Sequence, residues 1–238
     1  KHFSSNTKLL AISSIQYASG IKLDLEKLGK LCRQANVLFC VDAIQSLGAY
    51  EFDLSKNQAD FVVADGHKWL MSAEGLALLY INKQHIKSLK LNQFGWHMVE
   101  DKGNYTSKEW MPANNATRFE CGSPNMLGIH ALNASLKLIL NIGIDHIQAQ
   151  LKQRIIFLIQ ELNTLNNIQF ISNTTPNTDS NISGIITFKI KNIDSAKLYQ
   201  SLMKKGVICA NRGGGVRFSP HFYTTEKSIS SAITTLKK

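Results

Sequence analysis

No apolar run in this chain approaches the ~18 residues that a membrane-spanning helix needs, so no such helix and no membrane partner is expected. Cysteine is scarce. Cys32, Cys40, Cys121 and Cys209 show neither C-x-x-C spacing nor a metal-ligand pattern, so no metal is expected. Each thiol reads as a small hydrophobe in a reduced, cytoplasmic protein. Acidic residues are the scarcer charge, 17 against 27 Lys+Arg, giving a net charge of +10. That excess would permit nucleic-acid binding. The chain nevertheless lacks a basic tract of five or more residues and any interleaving of arginine with aromatics. Its lysines are spread along helices and the C-terminal end, as on a solvated surface, so no nucleic-acid partner is expected. Internal repeats and low-complexity blocks are absent. The opening, Lys1-His-Phe-Ser-Ser-Asn6, has no signal-peptide core.

What is present is an ordinary globular composition, 44% hydrophobic and 18% charged over 238 residues, enough for one large domain or two smaller ones. Val37–Val41 and Phe61–Ala64 are short β-branched and aromatic runs, the pattern of buried strands in an α/β sheet. Asp42-Ala-Ile-Gln45 ends the first run, and Asp65-Gly-His-Lys-Trp69 ends the second. If the strands are parallel, Asp42 and the His67-Lys68 pair leave at the carboxyl edge, where open α/β sheets bind ligands. An acid and a lysine facing one crevice suit pyridoxal phosphate: the lysine forms a Schiff base and the acid keeps the pyridine nitrogen protonated. Taken singly, each residue has a plainer reading. Lys68 could be a snorkelling loop lysine, Asp42 a helix N-cap, Gln45 a solvated amide and His67 a structural histidine.

The remaining pattern organises the chain. A strand at Leu9–Ser13 opens it, and Asp24 begins an amphipathic helix carrying Leu25, Leu28, Cys32 and Ala35. The short connection from Ala64 to a strand at Leu76–Ile81 suits antiparallel neighbours. Residues 83–117 read as an irregular covering segment. One helix runs from Asn125 towards Leu140. A second, from Ile144, repeats Ile147, Leu151, Ile155, Leu158, Leu162 and Leu165 on one face. A polar turn over Asn173–Asn181 follows. Then come a strand at Gly184–Ile190, a helix at Asp194–Lys205, strands at Val207–Ala210 and around Val216–Phe218, and a last helix from Thr224. This order predicts a small α+β domain over 126–238, after an α/β domain over 1–125.

Several of these motifs, taken in order, resemble the class V aminotransferase family, whose members include cysteine desulfurases, selenocysteine lyases, kynureninases and epimerase-like enzymes. They are Ser13-Ser-Ile-Gln-Tyr-Ala-Ser-Gly20, Asp42 with Gln45, the His67-Lys68 segment, Gly95-Trp96, Arg118-Phe-Glu-Cys-Gly-Ser-Pro-Asn125 and Arg217-Phe-Ser-Pro-His-Phe-Tyr223. The resemblance implies fold type I: the C-terminal part of a PLP-binding large domain with a mostly parallel sheet and helices, then a small α+β domain. Family members usually carry further residues upstream, and this chain enters a strand almost at once, so it reads as the C-terminal part of a larger enzyme.

The resemblance also implies roles. Lys68 would be the catalytic Schiff-base lysine, with Asp42, Gln45 and His67 as cofactor contacts. Ser123 would reach the phosphate of a partner subunit's cofactor, implying a homodimer with shared active sites. An ordinary Ser-Pro helix start is the alternative for Ser123. Arg217 would clamp the substrate carboxylate through two parallel bonds, with Arg212 the weaker candidate. Trp96 would wall the substrate pocket or sit in a core, and Ser14 stands where relatives often have Asn or His. Two departures from the desulfurase pattern stand out. Asp65 replaces a serine that usually helps hold phosphate, and an ionised carboxylate would repel that anion. The connection before Arg217 is short and puts Cys209 in a strand, which disfavours sulfur transfer to an enzyme cysteine. The expectation is a PLP enzyme acting on an amino acid, with transamination first and C–S or C–Se lysis or epimerisation next. A non-catalytic relative or fragment is the rival from another class.

Overall fold

The computed structural model describes residues 3–174 and 182–237. Most of the polar turn expected at Asn173–Asn181 therefore lies outside the described residues. The chain divides into two compact units. One comprises Lys1–Ile12, Glu26–Ile44 and Asp53–Lys137, and the other Ser13–Leu25, Gln45–Phe52 and Leu138–Lys238.

The first unit is built on a mixed sheet in the order β1 (Leu9–Ser13), β2 (Leu38–Asp42), β3 (Phe61–Asp65), β4 (Ala77–Ile81). Strands β2 and β3 are parallel, with Asp42 opposite Val63, whereas β3 and β4 are antiparallel, with Asp65 opposite Ala77. Side chains alternate across a strand, so Phe39, Val41, Val62 and Ala64 share one face, and all four are buried. On the opposite face Ile81 is buried, but several apolar side chains are exposed. Leu9 is 49%, Leu38 37%, Val63 37% and Leu79 50% accessible, one apolar residue from each strand. Continuous apolar runs predict burial on both faces, and here the second face is only partly covered.

At the other end of the strands, buried Asp60 ties the layers together. Its Oδ2 accepts from the Phe39 N–H at 2.8 Å, and its Oδ1 lies 2.8 Å from His85 Nε2. A buried carboxylate is tolerable only with such partners. Helix α1 (Leu25–Gln34) turns Gly29 and Cys32 inward. A Cβ on Gly29 would sit 2.0 Å from the Asn57 carbonyl oxygen, so glycine permits close approach to short α2 (Leu54–Asn57). The irregular stretch expected over 83–117 contains three short 3₁₀ turns, at Lys83–His85, Trp96–Met98 and Ala116–Phe119.

In the second unit, helix α4 (Ile144–Asn163) buries Ile147, Leu151, Ile155, Leu158 and Leu162, the apolar face read from the sequence. It is preceded by α3 (Met126–Ile142), which begins in the first unit, and is joined to α6 (Glu226–Leu236) by Arg154 Nη1 at 2.7 Å from Glu226 Oε1. An antiparallel sheet follows in the order β5 (Ile168–Phe170), β6 (Ile186–Ile190), β8 (Gly215–Phe218), β7 (Ala210–Arg212), with α5 (Ser195–Lys204) between β6 and β7. Phe188 and Phe218 meet edge-on in its core, 5.2 Å between centroids. The segment Ser13–Leu25 is fastened to this sheet. Ser172 Oγ donates to the Ser19 carbonyl at 2.6 Å, and Thr187 Oγ1 donates to that of Ala18.

Two expectations change here. Strand β5, three residues long, was not anticipated. The strand expected at Val207–Ala210 instead covers Ala210–Arg212, because Gly213 and Gly214 both take positive φ (+58° and +77°) and close a two-residue hairpin onto β8. Val207–Cys209 is irregular, with Ile208 89% exposed. No single described helix is long and apolar enough to cross a membrane.

Candidate active site

Parallel pairing of β2 with β3 puts their carboxyl ends at one edge of the sheet. Asp42 is the last residue of β2. His67 and Lys68 follow β3 by two and three residues, so all three leave from that edge. No helix directly follows Asp42, so its plain reading as a helix N-cap is not met; instead Oδ1 accepts from the Ile44 N–H at 2.9 Å and shapes the turn after the strand. The segment after β3 is held by its own backbone. Gly66 N–H donates to the Leu76 carbonyl, Met71 N–H to that of Lys68 and Ser72 N–H to that of Gly66, each at 2.9 Å. Trp69 and Leu70 are buried and anchor the loop, while Lys68 between them and His67 is exposed.

Asp65 and His67 form a pair within this loop. His67 Nδ1 lies 2.8 Å from Asp65 Oδ1, and neither atom has any other partner. The two atoms are not aligned as a straight hydrogen bond. Burial pushes the Asp65 carboxyl upward. The nearby His67 ring, with the backbone N–H groups of His67 and Gly66, outweighs that and holds it below the usual carboxylate range.

Also in the first unit, Ser123 is exposed two residues before Asn125, which caps α3. Asn125 Oδ1 accepts from the Gly128 N–H at 3.0 Å, and its Nδ2 donates to the Gly75 carbonyl at 3.1 Å, tying the helix start to the loop before β4. Trp96 is 49% exposed at the start of a 3₁₀ turn, its ring edge-on to that of His97, so it is not a core aromatic of this unit.

Gln45 lies three residues beyond Asp42 but belongs to the second unit, where it is buried beside Ser46. Ser14 is buried there too, its hydroxyl 2.8 Å from that of Ser46. Ser46 had not been singled out. Thirty-two residues separate the pair, and no local signal links them. Arg217, on β8, donates from Nη1 to the Tyr17 carbonyl at 2.7 Å, whereas its buried Nε has no partner. Burial first, then the neighbouring Arg212 charge, lower the guanidinium pKa. The register pairs Ala210 with Arg217 and Arg212 with Gly215, which puts both arginines on one face of the hairpin.

The cysteines are all free. Cys209 corrects an expectation: it is half-buried in the irregular segment before β7, not inside a strand, although burial still raises its thiol pKa. Cys121 is also half-buried, with Sγ 3.7 Å from Gln93 Oε1.

This arrangement has clear relatives. The chain is 32% identical to a probable cysteine desulfurase of Borreliella burgdorferi, aligned over 100% of this chain and 59% of that protein. It is 27% identical to the uncharacterized aminotransferase YcbU of Bacillus subtilis, over 98% of this chain and 60% of the relative. Among solved structures, the cystine C–S lyase C-DES in complex with its reaction product cysteine persulfide superposes with a TM-score of 0.89 at 23% identity, covering 99% and 62% of the two chains. The chain thus spans about three fifths of the curated relatives' length. The sheet with helices is the fold of those lyase and desulfurase structures. The sequence profile described as aminotransferase class-V matches residues 1–231, and the chain belongs to that family.

Proposed function

We propose that this chain forms part of a pyridoxal-phosphate enzyme acting on an amino acid, with Lys68 as the lysine that binds the cofactor. The observation that carries the reading is the shared edge: Asp42 and Lys68 leave the same end of two parallel, hydrogen-bonded strands. The residues present fit the group. One strand edge offers an acid, an amine and an imidazole, and Arg217 Nε is a buried donor left without an acceptor. When bound, pyridoxal phosphate supplies an aldehyde for an amine and a ring that accepts electrons.

The protein's own part follows from the side chains. Lys68 would hold the cofactor, and its amine would move the proton at the substrate Cα. Asp42 would face the pyridine nitrogen and favour its protonated form, as a carboxylate does for an adjacent cation. Gln45 donates an amide N–H to the ring oxygen. His67 and Ser123 hold the phosphate, Ser123 across the interface of a homodimer. Arg217 would grip the substrate carboxylate with two N–H groups and so orient the amino acid. Trp96 would wall the substrate side, and Ser14, its hydroxyl 2.8 Å from that of Ser46, is a further substrate-binding candidate. In this reading residues 1–125 belong to the cofactor-binding domain and 126–238 to the small domain. The free cysteines support a reducing, cytoplasmic setting.

Transamination is the leading reaction. Lysis of a C–S or C–Se bond is the second, favoured by the desulfurase and C–S lyase names of the relatives. Cys209 bears on the choice: its thiol is accessible enough to react, but burial disfavours the thiolate that attacks sulfur. The test is to titrate the protein with pyridoxal phosphate and follow the absorbance of the lysine-bound cofactor across a panel of amino acids. Products of each responder would then be analysed. Wild type should develop the band and Lys68→Ala should not; a band of equal size in both would overturn the assignment. Amino-group transfer to a 2-oxo acid would establish the first reaction, and sulfide or selenide release the second.

A further inference from the structure

The four strands of the second unit's sheet carry Lys189, Arg212 and Arg217 but no aspartate or glutamate. All three cations stand on one face. Arg217 lies opposite Thr187 on β6 and Ala210 on β7, and side chains two residues apart on a strand share a face. Lys189 and Arg212 are therefore on the side of Arg217. Among the described residues none of the three enters an ion pair. The two arginines donate instead to main-chain oxygens, Arg217 to Tyr17 at 2.7 Å and Arg212 to Asn211 at 2.9 Å. Lys189 Nζ lies over the hairpin turn, where a Cβ on Gly214 would be 3.7 Å from it. Burial first, then the Arg212 charge, lower the Arg217 pKa, so the arginines are close enough to repel each other. A bound anion would relieve that repulsion. One arginine suffices for one carboxylate, because its planar fork engages both oxygens. A second arginine beside it leaves capacity for a second anionic group.

We propose that Arg212 is a specificity-determining residue: it binds a second carboxylate, on the side chain of the amino acid whose first carboxylate Arg217 holds. The substrate class is then the acidic amino acids. This role deepens the pyridoxal-phosphate reading above and rests on it. Arg212 is the diagonal neighbour of Arg217 across the β7–β8 pair, a separation of roughly 7–8 Å that long side chains span. It is exposed, so its guanidinium is open to a small ligand, whereas Arg217 and Lys189 are half-buried. Lys189 adds positive charge to the same face and touches no reacting atom.

The experiment titrates the pyridoxal-phosphate-loaded protein with two matched pairs, L-aspartate with L-asparagine and L-glutamate with L-glutamine. Members of a pair agree in size and differ in one charge. Affinity is read from the cofactor absorbance in wild type, Arg212→Gln and Arg212→Glu, beside a thermal melt of each. In one pair or both, wild type should bind the acid roughly 10- to 100-fold more tightly than its amide. Arg212→Gln should remove most of that preference by weakening the acid alone, and Arg212→Glu should reverse it. Because a repelling charge is removed, Arg212→Gln should melt no lower than wild type. Equal affinity for acid and amide in both pairs, or no response to either acid, would overturn the proposal. So would an equal loss for acid and amide in Arg212→Gln, or a lower melting temperature, which would mean that Arg212 only supports the hairpin. Each of these results, with the cofactor band present, leaves the pyridoxal-phosphate reading intact. Failure of wild type to develop that band would remove both.

Discussion

Replacing Asp42 by asparagine separates what this residue does for the chain from what it does for chemistry. Asn keeps an oxygen that accepts from the Ile44 N–H, the 2.9 Å bond that shapes the turn after β2. The fold should therefore lose almost nothing, whereas Asp42→Ala should lose about 0.5–2 kcal/mol, as for a missing cap. The charge is another matter. An adjacent carboxylate raises the pKa of a partner cation by ~1–3 units, and each unit is a factor of ten in the ratio of protonated to unprotonated forms, about 1.4 kcal/mol. On the proposed reading, a pyridine nitrogen without that carboxylate would hold its proton less firmly, and the ring would be a poorer acceptor of electrons. Exchange of the substrate Cα proton for deuterium should slow by roughly 10- to 1,000-fold in Asp42→Asn, with an unchanged melting temperature. Exchange followed by NMR or mass spectrometry, beside a thermal melt, tests both halves. A variant that exchanges at the wild-type rate would refute the assigned role, and one that unfolds would refute the account of the turn.

Three further outcomes follow from the same coordinates. Arg217→Lys keeps the positive charge but loses the planar fork, so the amino-acid concentration needed for half-saturation should rise about 10-fold with little change in kcat; an unchanged value would remove the carboxylate clamp. Gly20 has φ +74°, and a Cβ there would lie 2.2 Å from the Ile185 carbonyl oxygen. Gly20→Ala should therefore destabilise the second unit by roughly 2–5 kcal/mol in denaturant unfolding, and a neutral result would show that Ser13–Leu25 is not held as described. The Asp65 carboxyl is depressed in the folded state. Its stabilisation is present above the unfolded value of about 3.9 and fades as pH falls through the lower folded value. Wild type should thus lose more stability on acidification below about pH 4 than Asp65→Asn; parallel losses would contradict the pairing with His67.

Much of this was legible because the signals are local. Val37–Val41 and Phe61–Ala64 announce strands by composition alone, and Asp42, His67 and Lys68 follow them directly in sequence, so their position at the strand tips is legible from the chain. Helix α4 was equally plain from one apolar stripe. What could not be read was set by partners distant in sequence. Arg217 is steadied by the Tyr17 carbonyl, 200 residues away, and Ser14 by Ser46. A main-chain oxygen is offered by every residue and so leaves no mark in a sequence. β7 was misplaced because the apolar run Val207–Ala210 mimics a strand, while the glycine pair that sets the hairpin lies beyond it. Asp65 was read as a misfit because its partner, His67, had already been given a role of its own.

The most direct measurement is to treat the protein with pyridoxal phosphate, reduce the complex with borohydride and locate the pyridoxyl-modified residue by peptide mass mapping. The account predicts one stoichiometric modification, on Lys68 in the peptide that contains His67 and Trp69, and its loss when Lys68 is replaced by alanine. Modification scattered over the surface lysines, or concentrated on any other single lysine, would contradict it.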